Sequence, residues 1–244
     1  MYPVLFQKGI ITIYSYGLMF SIAGLVVLFF AVKEAKHKNI KPSIIYDVFF
    51  WSMISGIAGA RLCYILLDLK YFLYNPKEII MLNHGGLVFY GGVFFALIVV
   101  GSVVKRKQTN FREILNVFIP YIPLGHAIGR IGCLLNGCCY GKVTNLFFAV
   151  NIAGEDRHPT QIYEVLLNLF IFVVLIFMRK KEKYQQKLVY IYILLYGIGR
   201  FIIEYFRGDP VTVFYSLRIS QWISIVGVLV SILFLLKPFR KNID

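Results

Sequence analysis

Residues 125–141 bring an arginine, an asparagine, three cysteines and five glycines to the end of a long apolar segment. The residues that could do chemistry there are Arg130, Cys133, Asn136, Cys138 and Cys139. A charge at the bilayer centre costs about 2.5–3.5 kcal/mol on insertion scales, so an arginine inside an apolar span implies a partner or a ligand. Its guanidinium is charged at any working pH, and its fork of donors matches a phosphate. Gly129 and Gly132 flank Arg130 and let a backbone or a ligand approach. A thiol close to such a charge is a candidate nucleophile, because positive charge lowers thiol pKa. Cys133, Cys138 and Cys139 do not match the usual paired zinc-ligand spacing. No metal and no cofactor is expected on that ground.

A second polar group is Arg200 with Glu204, four residues apart and so on one helix face, with Tyr196 one turn earlier. Gly197 and Gly199 beside them point to a crowded site rather than a lipid-facing one. A third is His158-Pro159-Thr160-Gln161-Ile162-Tyr163-Glu164, which reads as a helix entry with Pro159 in the first turn and Thr160 as cap. A histidine and a glutamate at one helix mouth also suit proton transfer. Arg61, Tyr16 and Tyr90 complete the set, with Gly85, Gly86, Gly91 and Gly92 around Tyr90 predicting irregular backbone.

The elements that must carry these groups are membrane helices. The chain of 244 residues is 59% hydrophobic, and only 16% of it is charged. A soluble domain carries about 25% charged residues, so this chain lacks the polar surface to dissolve. Apolar segments long enough for a bilayer recur at about 14–32, 46–67, 87–104, 114–135, 163–178, 188–206 and 219–236. The expectation is an all-α, polytopic membrane protein with seven transmembrane helices, built as a single domain over residues 1–244. The formal charge of +14 is clustered between the apolar segments, as juxtamembrane lysines are, which excludes nucleic acid as the partner.

Lysines and arginines concentrate after the first, third and fifth spans and in the C-terminal tail. The positive-inside rule then puts the C-terminus in the cytoplasm and the N-terminus outside. Arg61, Arg130 and Arg200 fall in the outer third of the second, fourth and sixth spans. The polar constellation therefore belongs in the outer leaflet, at lipid-phosphate depth.

The ordered pieces Tyr16-Gly17-Leu18-Met19, Gly59-Ala60-Arg61, Gly129-Arg130-Ile131-Gly132 with Asn136-Gly137, His158 to Glu164, and Arg200 to Arg207 resemble the prolipoprotein diacylglyceryl transferase family. The glycine-rich entry to the third span matches too, and the resemblance covers nearly the whole chain. It implies a bacterial cytoplasmic (inner) membrane enzyme that moves the diacylglyceryl group of phosphatidylglycerol to the cysteine thiol of a prolipoprotein lipobox. Glycerol phosphate would leave and a thioether would form, with lipid bilayer, phosphatidylglycerol and lipobox peptide as partners. Arg130, Arg200 and Glu204 would carry catalysis, with Tyr90 or His84 in the place of the family's histidine. Arg130, Tyr16, Arg61, Asn136, Gly132 and Tyr196 would bind phosphatidylglycerol. The chain departs from the family at Tyr90, where a histidine is usual, at Cys133 for asparagine, and at Cys138 for glutamate. Two other readings follow from those departures. The acceptor could differ from a lipoprotein, or Cys133, Cys138 and Cys139 could serve a thiol redox or metal-binding protein.

Overall fold

The computed structural model describes residues 2–9, 11–81, 85–152, 154–208 and 213–237. His84, one of the expected catalytic positions, lies outside the described residues. The described residues are 70% helical. The helices are α1 (Ser15–His37), α2 (Pro42–Leu67), α3 (Leu69–Tyr74), α4 (Phe89–Arg106), α5 (Phe111–Phe118), α6 (Ile122–Asn136), α7 (Thr160–Met178), α8 (Glu182–Gln185), α9 (Leu188–Glu204) and α10 (Ile219–Leu236). Five of them, α1, α2, α4, α7 and α10, are long and apolar enough to cross a bilayer. Their outward faces keep large apolar side chains exposed, among them Phe29, Phe177 and Leu233, which lipid accommodates and water does not.

The segment expected as one span at 114–135 is broken. α5 and α6 together are apolar enough to cross, but they are bent by 46°. Pro120 lacks the N–H of a helix interior and its ring clashes with the carbonyl four residues back. The helix therefore stops at Phe118 and restarts at Ile122, with Pro123 in the first turn of α6. α9, expected as the sixth span, is 17 residues long, the lower end of the roughly 17–25 that a bilayer needs.

Three short antiparallel hairpins interrupt the helical expectation: β1 (Val4–Lys8) with β2 (Ile11–Tyr14), β3 (Val150–Ile152) with β4 (Glu155–Arg157), and β5 (Val213–Phe214) with β6 (Leu217–Arg218). Connecting backbone must still pair its polar groups, and a hairpin is the shortest way to do so. Tyr215 and Ser216 join β5 to β6 with φ of 47° and 62°, the two-residue turn whose twist matches that of its strands.

The chain divides into two compact units, Met1–Phe30 with Leu115–Asp244, and Ala31–Ile114. In the first, α6 packs on α7, α7 on α9 and α9 on α10. Small residues set these approaches. A Cβ at Gly199 would lie 2.4 Å from Leu167 of α7, and one at Gly197 would lie 2.9 Å from Val228 of α10. A Cβ at Gly132 would lie 2.9 Å from Met19, which seats α6 on α1. Ile119, Ile171, Leu175, Leu188 and Ile191 form the apolar core at one end of this unit.

In the second unit α2 and α4 pack closely. A Cβ at Gly59 would lie 2.5 Å from Phe95, and one at Gly92 would lie 2.9 Å from the Gly56 carbonyl oxygen. Gly91 and Gly92, expected in irregular backbone, are thus ordinary helical residues of α4 that let α2 come near. Gly85 and Gly86 do carry the irregular backbone, with φ of 81° and 79°.

Candidate functional site

α6, α7 and α9 each contribute a charged group to one cluster in the first unit. Glu164 stands one turn inside α7 and is 1% exposed. Its Oε2 lies 2.8 Å from Nε of Arg130 on α6, and its Oε1 pairs with Nη1 of Arg200 on α9. The N–H of Arg130 Nε is aimed at His126 Nε2, 3.2 Å away and one helical turn earlier, so Arg130 meets Glu164 through charge rather than along a hydrogen bond. As the acceptor, His126 Nε2 carries no proton in this arrangement. The His126 ring in turn lies beside Tyr196, with centroids 5.3 Å apart.

Arg200 has a second carboxylate. Its Nη2 lies 2.6 Å from Glu204 Oε2, the helical i,i+4 contact expected from the spacing. Glu204 is buried and also draws Arg218 Nη1 to 3.2 Å and Arg207 Nε to 3.9 Å. Arg207 Nη1 comes within 3.6 Å of Glu164 Oε1, and Arg218 Nη2 donates to the Arg207 carbonyl at 2.8 Å. Among the described residues, four guanidiniums therefore gather around the carboxylates of Glu164 and Glu204. The carboxylates are 1–2% exposed, whereas the side chains of Arg130 and Arg200 keep 15%. The acids form the inner layer, and the arginines retain an open edge. That geometry suits an anion with several acceptor oxygens.

The loop after α6 closes one side. Gly137 ends the helix in the left-handed conformation at φ 74°, and the Cys138 N–H returns to the Cys133 carbonyl at 3.1 Å. Gln161 Nε2 donates to the Cys138 carbonyl and Thr160 Oγ1 to the Cys139 carbonyl, both at 2.8 Å. Thr160, expected as a helix cap, is instead the first residue of α7, and its hydroxyl ties down this loop; Pro159 occupies the cap position. Gly141 sits where a Cβ would lie 2.4 Å from the His158 Cβ and 2.5 Å from the His158 carbonyl oxygen. The His158 ring bonds the Tyr163 hydroxyl at 3.0 Å and packs on Phe206.

Cys133, Cys138 and Cys139 meet in this loop. Their sulfur atoms all lie within 4.8 Å of one another, although their spacing in sequence resembles no familiar ligand pattern. Outside the helix, the Cys139 thiol is pushed below its ordinary value, first by hydrogen bonds from Cys133 and Cys138 and then by the charges of Arg207 and Arg130.

The fold therefore brings Arg130, Arg200, Glu204 and Tyr196 together, with the three cysteines and Asn136 following on from α6. Tyr16, in the first turn of α1, meets the same helix through its backbone. Its Cα would lie 3.4 Å from a Cβ at Gly132.

Arg61 and Tyr90 belong to the second unit. Arg61 is buried and donates to five backbone carbonyls, those of Glu78, Ile79, Met81, Gly85 and Gly86. Of the roles open to it, the guanidinium here gathers the loop ahead of α4. Tyr90 stands half-exposed in the first turn of α4. His126, Arg207 and Arg218 were not among the expected site residues, and Glu164 was expected as a helix-mouth acid suited to proton transfer and not as the partner of two arginines. His126 and Arg207 had a legible signal, standing four residues before Arg130 and three after Glu204 on the same helical faces.

A sequence profile described as prolipoprotein diacylglyceryl transferase matches residues 3–237. A phosphatidylglycerol–prolipoprotein diacylglyceryl transferase of Finegoldia magna is 36% identical over 234 residues, covering 96% of this chain and 94% of that one. Enzymes of the same name from Clostridium tetani and Clostridioides difficile are 35% and 34% identical, covering 99% and 96% of this chain and 100% and 95% of their own. Together with a helical scaffold suited to a membrane, these matches show that the chain belongs to the prolipoprotein diacylglyceryl transferase family.

Proposed function

We propose that the chain transfers the diacylglyceryl group of phosphatidylglycerol to the cysteine thiol of a prolipoprotein lipobox, forming a thioether and releasing glycerol phosphate. The observation that carries this reading is the pair of part-exposed guanidiniums, Arg130 and Arg200, held by the buried carboxylates of Glu164 and Glu204 on α7 and α9. A phosphate ester leaving from a glyceryl carbon gains negative charge as the carbon–oxygen bond breaks. Fixed guanidiniums aimed at that oxygen stabilise the change without reorganising.

In this reading Arg130 and Arg200 hold the phosphate. Glu204 and Glu164 position them, and Tyr196, Asn136, Gly132 and Tyr16 shape the headgroup site. An apolar groove of about 230 Å³ between α9 and α10, lined by Gly197, Phe201, Ser224 and Val228, runs one turn from Arg200 and suits an acyl chain. The protein would sit in the cytoplasmic membrane with seven spans, counting α9 and the bent pair. The N-terminus would face out and the site would open to the outer leaflet, where the donor lipid and an exported lipobox meet.

The test is a lipobox reporter expressed with this protein in cells lacking their own diacylglyceryl transferase. Mass spectrometry should find the diacylglyceryl adduct on the reporter's cysteine. An unmodified cysteine beside well-expressed, membrane-inserted protein would refute the reading.

A further inference from the structure

Three thiols that meet beside an arginine cluster have no part in holding a phosphate. Cys133 is buried near the end of α6, and Cys138 and Cys139 are half-buried in the turn that follows. Their mutual separations, within 4.8 Å, leave room for an ion. A divalent zinc bound by thiolates at about 2.3 Å in tetrahedral geometry holds its sulfurs roughly 3.8 Å apart. The surrounding hydrogen bonds fix the backbone, and the sulfur atoms bond mainly to one another, contacts that an ion would replace. The Cys138 and Cys139 carbonyls are clamped by Gln161 and Thr160, and Cys138 Sγ makes a long contact to the Cys133 carbonyl at 3.7 Å. Cys139 adopts φ 61°, a conformation a non-glycine residue takes when its surroundings hold it there.

Charge is consistent with an ion at this place. Zinc with three thiolates carries a net charge of −1. Arg130 stands three residues before Cys133 on α6, which puts the two side chains on one helical face. An anionic metal–thiolate centre thus complements the arginines, whereas a bare cation would be repelled.

We infer that Cys133, Cys138 and Cys139 bind one zinc ion whose fourth position takes the acceptor thiol. This rests on the thiol-alkylating reading above. Structural zinc sites fill all four positions with protein ligands, whereas three protein ligands and an open position mark sites where zinc acts on a substrate. A thiol that coordinates zinc is deprotonated. The acceptor thiol replaces a bound water and gives its proton to solvent. Its sulfur then attacks the glyceryl carbon of the lipid. The sulfur–carbon bond forms as the carbon–oxygen bond to phosphate breaks, and the electron pair leaves on the phosphate oxygen beside Arg130. No oxidant or reductant is required.

The test uses full-length protein purified into phosphatidylglycerol-containing nanodiscs, dialysed against zinc and then washed. Elemental analysis should find about one zinc per chain, as a single four-coordinate site predicts. The variant with Cys133→Ser, Cys138→Ser and Cys139→Ser should hold none. Wild-type protein supplies a readout independent of that variant's folding. Zinc should protect these three cysteines from iodoacetamide and leave Cys63, in the other unit, as reactive as before. Chelation should lower transfer by about 10²-fold, the lower end of what assisting proton loss from a nucleophile contributes, and added zinc should restore it. Substoichiometric metal with unprotected thiols would overturn the inference, and so would transfer unchanged by chelation. Either result leaves the transferase reading standing. Zinc bound through the three thiols without any transfer to a lipobox cysteine would instead refute the transferase reading and, with it, the acceptor's place on the metal.

Discussion

Arg130 Nε and Glu164 Oε2 lie 2.8 Å apart on neighbouring helices, and the other oxygen of the same carboxylate pairs with Arg200 on a third. One buried acid thus sets the separation of two guanidiniums that share no helix. Burying it unpaired would be costly. Burying it among arginines lets each side offset the desolvation of the other.

Glu164→Gln keeps the shape and removes the charge. Breaking a buried ion pair from one side costs about 3–5 kcal/mol, because the opposite charge stays buried without compensation. At roughly 2–4 °C per kcal/mol for a chain of this size, the apparent melting temperature in detergent should fall by about 10 °C. Transfer should fall with it. A melting temperature within error of the parent would remove Glu164 from its bridging role.

Arg200→Lys tests geometry against charge. Arg200 reaches Glu164 with one terminal nitrogen and Glu204 with the other, and a single ammonium cannot reproduce that fork. Turnover should fall by about 10²–10³, the usual loss when one donor to developing negative charge is removed. Near-parental turnover, measured as product per minute at saturating lipid, would show that only the charge matters.

Gly141→Ala tests the loop that carries the cysteines. The new Cβ would sit within 2.5 Å of the His158 backbone and 2.9 Å from the Phe206 carbonyl oxygen, so backbone must move. The expected cost is about 1–3 kcal/mol, typical of overpacking, read as a lower melting temperature together with faster alkylation of Cys138 and Cys139. Unchanged alkylation would show that the loop has slack.

Arg61→Lys should loosen the turn before α4 and leave the arginine cluster of the first unit intact. Each hydrogen bond to a charged group contributes about 1.5–3 kcal/mol, and a lysine cannot satisfy five carbonyls at once. Hydrogen exchange of the amides at 78–81 and 85–86 should quicken by at least about tenfold, since about 1.4 kcal/mol is a factor of ten. Exchange at the parental rate would mean that Arg61 does not hold this loop.

Most of the scaffold was legible because membrane helices declare themselves by length and apolarity alone. The i,i+4 pairing of Arg200 with Glu204 followed directly from helical geometry. What the sequence hid depends on contacts across helices. Glu164 read as a helix-mouth acid and proved to be the hub for α6 and α9, which requires knowing that α7 lies between them. Arg207 and Arg218 fall outside the apolar spans, yet both reach back to the carboxylates. Cys133, Cys138 and Cys139 matched no ligand spacing, because their meeting comes from a left-handed Gly137 and a turn clamped by Thr160 and Gln161. The break at Pro120 was visible as a residue, but not as an interrupted span, because the apolar run continues through it.

Purified protein and a synthetic lipobox peptide decide whether the arginine cluster takes the phosphate of phosphatidylglycerol as the leaving side of a thiol alkylation. The peptide is incubated with vesicles of phosphatidylglycerol or of phosphatidylethanolamine, and its mass is followed for parent and for Arg130→Ala. The peptide should gain the mass of one diacylglyceryl group with phosphatidylglycerol and parent protein, and no adduct should form in the other three combinations. An adduct formed as readily by Arg130→Ala would contradict that role for the cluster.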